Sequence, residues 1–190
     1  MSSLAAAPQH SPQLLDAAGV QRATVRLAHE IAEHHPALAG VALIGVPTRG
    51  VPLAARIATQ LVSLGYQPVP VGAIDASAYR DDRPRPAGER SRASLTGLTP
   101  TQVDGARVIV VDDVLFTGRT MRAVLDALID CGRPAQVEVL TLVDRGHREL
   151  PLRAAYVGKN VPTSMEDRVT VRLRETDGVD GAWLVRAAAP

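Results

Sequence analysis

The sequence predicts an α/β fold: a mainly parallel central sheet flanked by helices, with a small hood from the N- and C-terminal segments. Three observations predict it. The apolar runs at 41–46, 69–74 and 108–111 are unbroken, as in strands buried on both faces, and 136–143 is mostly apolar. Segments of helical period separate most of these runs. Beyond residue 168 the pattern turns to in-and-out alternation with Asp-Gly turns, which suits a small antiparallel cap.

Bulk properties narrow the function. The chain has 190 residues and a formal net charge of +1, so it is not a polyelectrolyte. We expect a loose tail over 1–13, containing Pro8 and Pro12, followed by one domain over 14–190. Lys159 is the single lysine against 20 arginines; many of these fit a GC-rich codon bias. The single cysteine, Cys131, excludes an internal disulfide framework and a Cys-based zinc site. The N-terminus lacks a basic start followed by an apolar stretch, and no apolar run is long enough to span a bilayer. The expectation is a cytoplasmic protein with no membrane partner.

In chain order, Asp16 is placed to cap a helix that runs to about residue 35. Arg22, Arg26 and His29 share one stripe of that helix, which is either a solvated face or a binding surface. The strand 41–46 ends in Pro47-Thr48-Arg49-Gly50, and Pro52 suits the first turn of the next helix, which extends to about residue 64. The third strand is 69–74. Residues 75–104 are polar and rich in Pro and Arg, with no clear period, and include Tyr79-Arg80-Asp81-Asp82. Such a loop is a lid carrying Arg80 over an anion, or a solvated insertion.

The centre of the chain reads Val-Ile-Val-Val-Asp-Asp-Val-Leu-Phe-Thr-Gly-Arg-Thr over 108–120. A strand, two carboxylates (Asp112 and Asp113), a turn with Gly118 and a helix follow in that order. Such an order places backbone amides and the hydroxyls of Thr117 and Thr120 around an anion. The acid pair at the carboxyl end of a strand accepts from vicinal hydroxyls. A ribose 5-phosphate fits both halves. The helix ends at Cys131-Gly132. After the strand 136–143 comes the charged loop Asp144-Arg145-Gly146-His147-Arg148-Glu149-Leu150-Pro151. Residues 156–186 are expected to build part of the hood.

Residues 108–120 resemble the phosphoribosyl diphosphate (PRPP) signature of type I phosphoribosyltransferases. Val46-Pro47-Thr48-Arg49-Gly50, Ala78-Tyr79-Arg80-Asp81-Asp82, the 144–151 loop and Val157-Gly158-Lys159-Asn160-Val161-Pro162-Thr163-Ser164 resemble the PyrR family. Its members are bifunctional pyrimidine operon attenuation regulators and uracil phosphoribosyltransferases. Arg26-Leu27-Ala28-His29-Glu30 is similar too, and the match covers about residues 16–186.

The resemblance implies the type I phosphoribosyltransferase fold and conversion of uracil and PRPP to UMP and diphosphate, with Mg²⁺. It also implies binding of a pyrimidine operon mRNA leader, strengthened by UMP or UTP, and a homodimer or homotetramer. Carried onto this sequence, Asp112, Asp113, Arg49 and Arg80 are the catalytic set, with Asp112 and Asp113 reaching the metal only through PRPP or water. PRPP is met by Thr48, Arg49, Gly50, Arg80, Asp112, Asp113, Val114, Leu115, Phe116, Thr117, Gly118, Arg119 and Thr120. Asp144, Arg145, Lys159, Asn160, Val161 and Pro162 face uracil or the nucleotide. Arg22, Arg26, His29, His147, Arg148, Arg153 and Lys159 form the RNA face, with Arg148 expected to serve RNA and not turnover.

The sequence departs from the family at Phe116, where a Tyr is frequent, and at the small residues Asp75-Ala76-Ser77-Ala78. Two other readings stay open: a nucleotide-sensing regulator with little or no turnover, and a different phosphoribosyltransferase without an RNA role.

Overall fold

The computed structural model describes residues 11–79 and 94–187. The elements are β1 (Gln13–Leu15), α1 (Ala17–His34), β2 (Val41–Gly45), α2 (Gly50–Ser63), β3 (Val71–Asp75) and β4 (Ser94–Thr96). They continue with α3 (Pro100–Val103), β5 (Arg107–Leu115), α4 (Arg119–Cys131), β6 (Gln136–Asp144), β7 (Tyr156–Asn160), β8 (Arg168–Arg172), α5 (Arg174–Asp177) and β9 (Gly181–Val185).

The large sheet has the order β4-β3-β2-β5-β6-β7. Every neighbouring pair is parallel except β3 with β4. Alternate residues of its central strands serve different cores. Leu43, Ile109 and Val111 pack with Leu27, Ile31, Leu53 and Ile57 of α1 and α2. Ala42, Ile44, Val108 and Val110 pack with Met121, Val124 and Leu128 of α4. Helices on both faces explain why these strands read as unbroken apolar runs. α1 begins as the sequence predicts, the Asp16 carboxylate accepting from the Gly19 amide at 2.6 Å.

The hood is the antiparallel sheet β1-β9-β8. Its Val171, Leu173 and Ala182 continue the core formed by α1 and α2. Gln13, inside the expected 1–13 tail, already belongs to β1. The expected hood span of 156–186 is divided: β7 pairs with β6 in the large sheet, and only the later strands belong to the hood. The chain from β6 to β7 contains no helix, a connection that alternation alone does not reveal.

Two further expectations change. β5 does not stop at Val111 but runs to Leu115, because β6 is long enough to pair Asp112 with Thr141 and Leu115 with Asp144. The 75–104 stretch holds β4 and α3. Thr99 and Gln102 form a reciprocal cap at the start of α3, and β4 pairs Thr96 with Ala73. Elements of three and four residues are too short to show a period. Cys131 lies half-buried beside the α4 core. Among the described residues no helix is long and apolar enough to cross a membrane.

Candidate functional site

The carboxyl ends of β2 and β5 and the starts of α2 and α4 converge, as ligand sites do in parallel sheets. Close backbone approach makes this convergence possible. A Cβ on Gly50 would lie 2.2 Å from the Val111 carbonyl oxygen, and one on Gly45 would lie 2.5 Å from the Val51 Cα. Both glycines are therefore required by space, and α2 abuts β5 beside the acid pair. The intervening Pro47–Thr48 peptide bond is cis.

Asp112 is buried and Asp113 half-buried at the end of β5. The Asp112 Oδ1 accepts from the Asp113 amide at 2.9 Å, and the Asp113 Oδ1 accepts from the Val114 amide at 3.0 Å. Burial pushes the Asp113 carboxyl above the ordinary carboxylate value, while the positive charge of Arg49 acts in the opposite direction. The pair thus presents acceptor oxygens at the mouth of the sheet in a field shared with Arg49.

The turn that follows has the chemistry to receive an anion. Gly118 stands at φ +92° as the residue before α4, a conformation that suits glycine. Gly118, the cap residue, has no side chain with which to cap α4. Thr117 Oγ1 lies 3.4 Å from the Arg119 amide, and Thr120 occupies the first turn. The amide end of α4 faces the same region as the acid pair, so a phosphate and a polyhydroxy ring can be held side by side.

Arg49 has a partner that sequence reading did not supply. Its Nε and one terminal nitrogen donate to the Asp177 carboxylate at 2.9 and 2.7 Å. That fork holds the Asp177 carboxyl below its ordinary value. Nearby, Arg56 donates to Glu175 and to Asp180, each at 2.6 Å at the closest. Two arginines from α2 and its leading turn therefore fasten the hood over the sheet. In the sequence, Asp177-Gly178 and Asp180-Gly181 carry only a turn signal.

The residues expected to face the base are partly assembled. Asp144 pairs with Asn160 across β6 and β7, and the Val161 amide donates to the Asp144 carbonyl at 2.8 Å. Pro162 is exposed beside them. Arg145 is buried and its guanidinium is spent: it donates to Thr163 Oγ1 at 3.1 Å and to the Ser164 carbonyl at 2.7 Å, and it lies 3.8 Å from the Phe116 ring centroid. Arg145 therefore supports the 163–165 segment instead of reaching a ring itself. Phe116 retains a role without the hydroxyl, as the face under that cation.

The basic residues expected to form one RNA face separate into three places. Arg26 on α1 donates to the Val157 and Gly158 carbonyls at 3.0 and 2.7 Å, which seats the Arg22, Arg26 and His29 stripe against β7. The exposed Lys159 extends from the same strand and donates to the Leu14 carbonyl at 2.8 Å. Arg153 lies on the other face of the sheet, in a groove with Leu125, Val137 and Leu152. His147 is half-buried, its Nε2 2.7 Å from the Thr163 carbonyl. Arg148 lies behind the turn at 116–118, with 20% of its side chain exposed and its guanidinium bonded to the Phe116 carbonyl and the Asp144 carboxylate. Arg80 lies outside the described residues. Tyr79, immediately before it, donates to Asp130 of α4 at 2.5 Å.

Residues 10–171 match the phosphoribosyl transferase domain. A bifunctional protein PyrR from Chloroflexus aurantiacus is 52% identical over 177 residues, covering 93% of this chain and 96% of that relative. This chain belongs to the PyrR family. PyrR from Listeria welshimeri is 45% identical, covering 90% of this chain and 94% of its own length. PyrR from Streptomyces coelicolor is 48% identical, covering 96% and 94%. Among solved structures, the hypoxanthine phosphoribosyltransferase of Trypanosoma cruzi superposes with a TM-score of 0.68 at 20% identity, covering 93% of this chain and 97% of the other. That similarity shows the type I phosphoribosyltransferase fold alone, and the fold agrees with the one expected from the sequence. The PyrR relatives carry the family.

Proposed function

We propose that this PyrR protein converts uracil and PRPP to UMP and diphosphate, and that UMP or UTP tightens its grip on the leader of a pyrimidine biosynthetic mRNA. One observation supports the enzymatic half above the rest: Asp112 and Asp113 sit at the β5 terminus beside Arg49 and the glycine turn of α4. In the reaction the bond from ribose C1 to the diphosphate oxygen breaks, and the electron pair leaves with diphosphate. A bond from C1 to uracil N1 forms and the N1 proton is released. Positive charge develops on the ribose and negative charge on the leaving group.

Asp113 and Asp112 accept from the ribose hydroxyls and hold the ring in place as that charge develops. The α4 turn binds the 5-phosphate. Arg49, released from Asp177, meets the diphosphate with its planar fork. The edge of the base lies against 160–162. A Mg²⁺ bound with PRPP would supply neutralising charge at the diphosphate. The two aspartates are hard oxygen donors suited to holding it through ribose hydroxyls or water. Arg80 is proposed to close over the diphosphate.

The RNA half rests on the α1 stripe beside Lys159, where exposed basic side chains suit phosphates and the unpaired bases of a hairpin. A filter-binding titration with a pyrimidine leader hairpin tests it. We expect UMP to tighten binding. Arg22→Gln should weaken it at every sequence tried and reduce the salt slope by about 1. Weak binding indifferent to both RNA sequence and UMP would overturn the regulatory reading.

A further inference from the structure

The loop between β6 and β7 does more than display charge. It forms the back wall of the phosphate turn. Three consecutive carbonyls at the end of β5 point into it. The Leu115 carbonyl accepts from the Arg145 amide at 3.1 Å, the Phe116 carbonyl accepts from the Arg148 guanidinium, and the Thr117 carbonyl accepts from the Glu149 amide at 3.0 Å. In a trans peptide the carbonyl and the following N–H point in opposite directions. Holding these three carbonyls against the loop therefore turns the amides of 116, 117 and 118 the other way, toward the anion.

Side chains reinforce the wall. Arg119 donates to Glu149 at 2.6 Å. The space behind Gly118 is closed by Leu150 and Leu152, 3.6 and 3.3 Å from where a Cβ would stand. Phe116 stacks under Arg145 and meets His147 edge-on, with ring centroids 6.0 Å apart.

Arg148 joins the two ends of this wall. One terminal nitrogen donates to the carbonyls of Phe116, Leu115 (3.4 Å) and Gly146 (3.0 Å), and the other pairs with the Asp144 carboxylate. Its Nε is buried and has no hydrogen-bond partner among the described residues. A long cationic side chain is thus spent on one backbone turn and on the carboxylate beside the base-facing strand.

We propose that Arg148 is a positioning residue of the nucleotide site, which sets the phosphate-binding amides of 116–118 and couples the 5-phosphate subsite to the His147 end of the loop. The RNA consequence rests on the function proposed above; the phosphate consequence does not. When a 5-phosphate is bound, the turn is fixed, and through Arg148 the loop carrying His147 is fixed with it.

The experiment compares UMP with uridine, which lacks the phosphate, by calorimetry on the full chain and on Arg148→Gln. Arg148→Gln is expected to weaken UMP by about tenfold or more, the loss of hydrogen bonds to a charged group, and to leave uridine affinity within about twofold. KM for PRPP should rise more than kcat falls. The gain in hairpin affinity from UMP should be lost. Arg148→Lys keeps the pair with Asp144 and should show the same pattern at smaller size, so the test survives poor folding of the Gln variant. An unchanged ratio of UMP to uridine affinity in both variants would overturn the proposal, whether or not RNA binding falls. Wild-type affinity for UMP tests the proposed function separately from this ratio.

Discussion

Asp113→Asn is expected to lower kcat/KM for PRPP by about 10²- to 10³-fold, the size seen when one preorganised group at a developing charge is lost. The amide keeps the size of the carboxylate and removes its charge. Asp113 stands half-buried at the end of β5, within the field of Arg49, where the ribose must lie if the α4 turn holds the 5-phosphate. Stability should move the opposite way or not at all. Burial holds the Asp113 carboxyl above its ordinary value, so at neutral pH the folded state carries a desolvated charge. Removing that charge should leave Tm unchanged or raise it. Initial-rate kinetics and a thermal scan check both halves. Unchanged kinetics would refute the ribose assignment.

Gly50→Ala is expected to damage fold and site together. The added Cβ would stand 2.2 Å from the Val111 carbonyl oxygen and 3.3 Å from the Asp112 Cα. Neither atom belongs to a side chain that can swing away, so α2 must move off β5. Overpacking of this kind costs about 1 to 3 kcal/mol. At about 2 to 4 °C per kcal/mol for a chain of this size, Tm should fall by several degrees. Arg49 precedes Gly50 and moves with it, so the fork to Asp177 loosens and KM for PRPP rises. Calorimetry with saturation kinetics measures both. A variant with wild-type Tm and KM would show that α2 has slack the packing does not indicate.

Much of the fold was legible because it is written locally. Strands covered on both faces carry continuous apolar runs, and Asp16 and Gly132 bracket their helices. The strand, acid pair, glycine turn and helix of 108–131 were legible for the same reason, since they are contiguous. What was hidden depends on partners far away in sequence. β4 is three residues long and exists through its pairing with β3. Asp177 lies 128 residues from Arg49, and no spacing rule joins them. The 144–151 loop reads as a solvated or RNA-facing run of charge, yet Arg145 is buried and Arg148 is turned inward. A charged side chain that bonds backbone carbonyls leaves no periodic trace. Arg26 shows the opposite case: it stands on the expected stripe, and only its bonds to Val157 and Gly158 reveal that the stripe borders β7.

The most direct test of the central claim is formation of UMP from uracil, PRPP and Mg²⁺, with hypoxanthine, guanine and orotate assayed beside it. Selective turnover of uracil is the predicted result. Turnover with a purine or orotate in place of uracil would contradict the account and make this site that of another phosphoribosyltransferase; UMP binding with no turnover of any base would leave a nucleotide sensor.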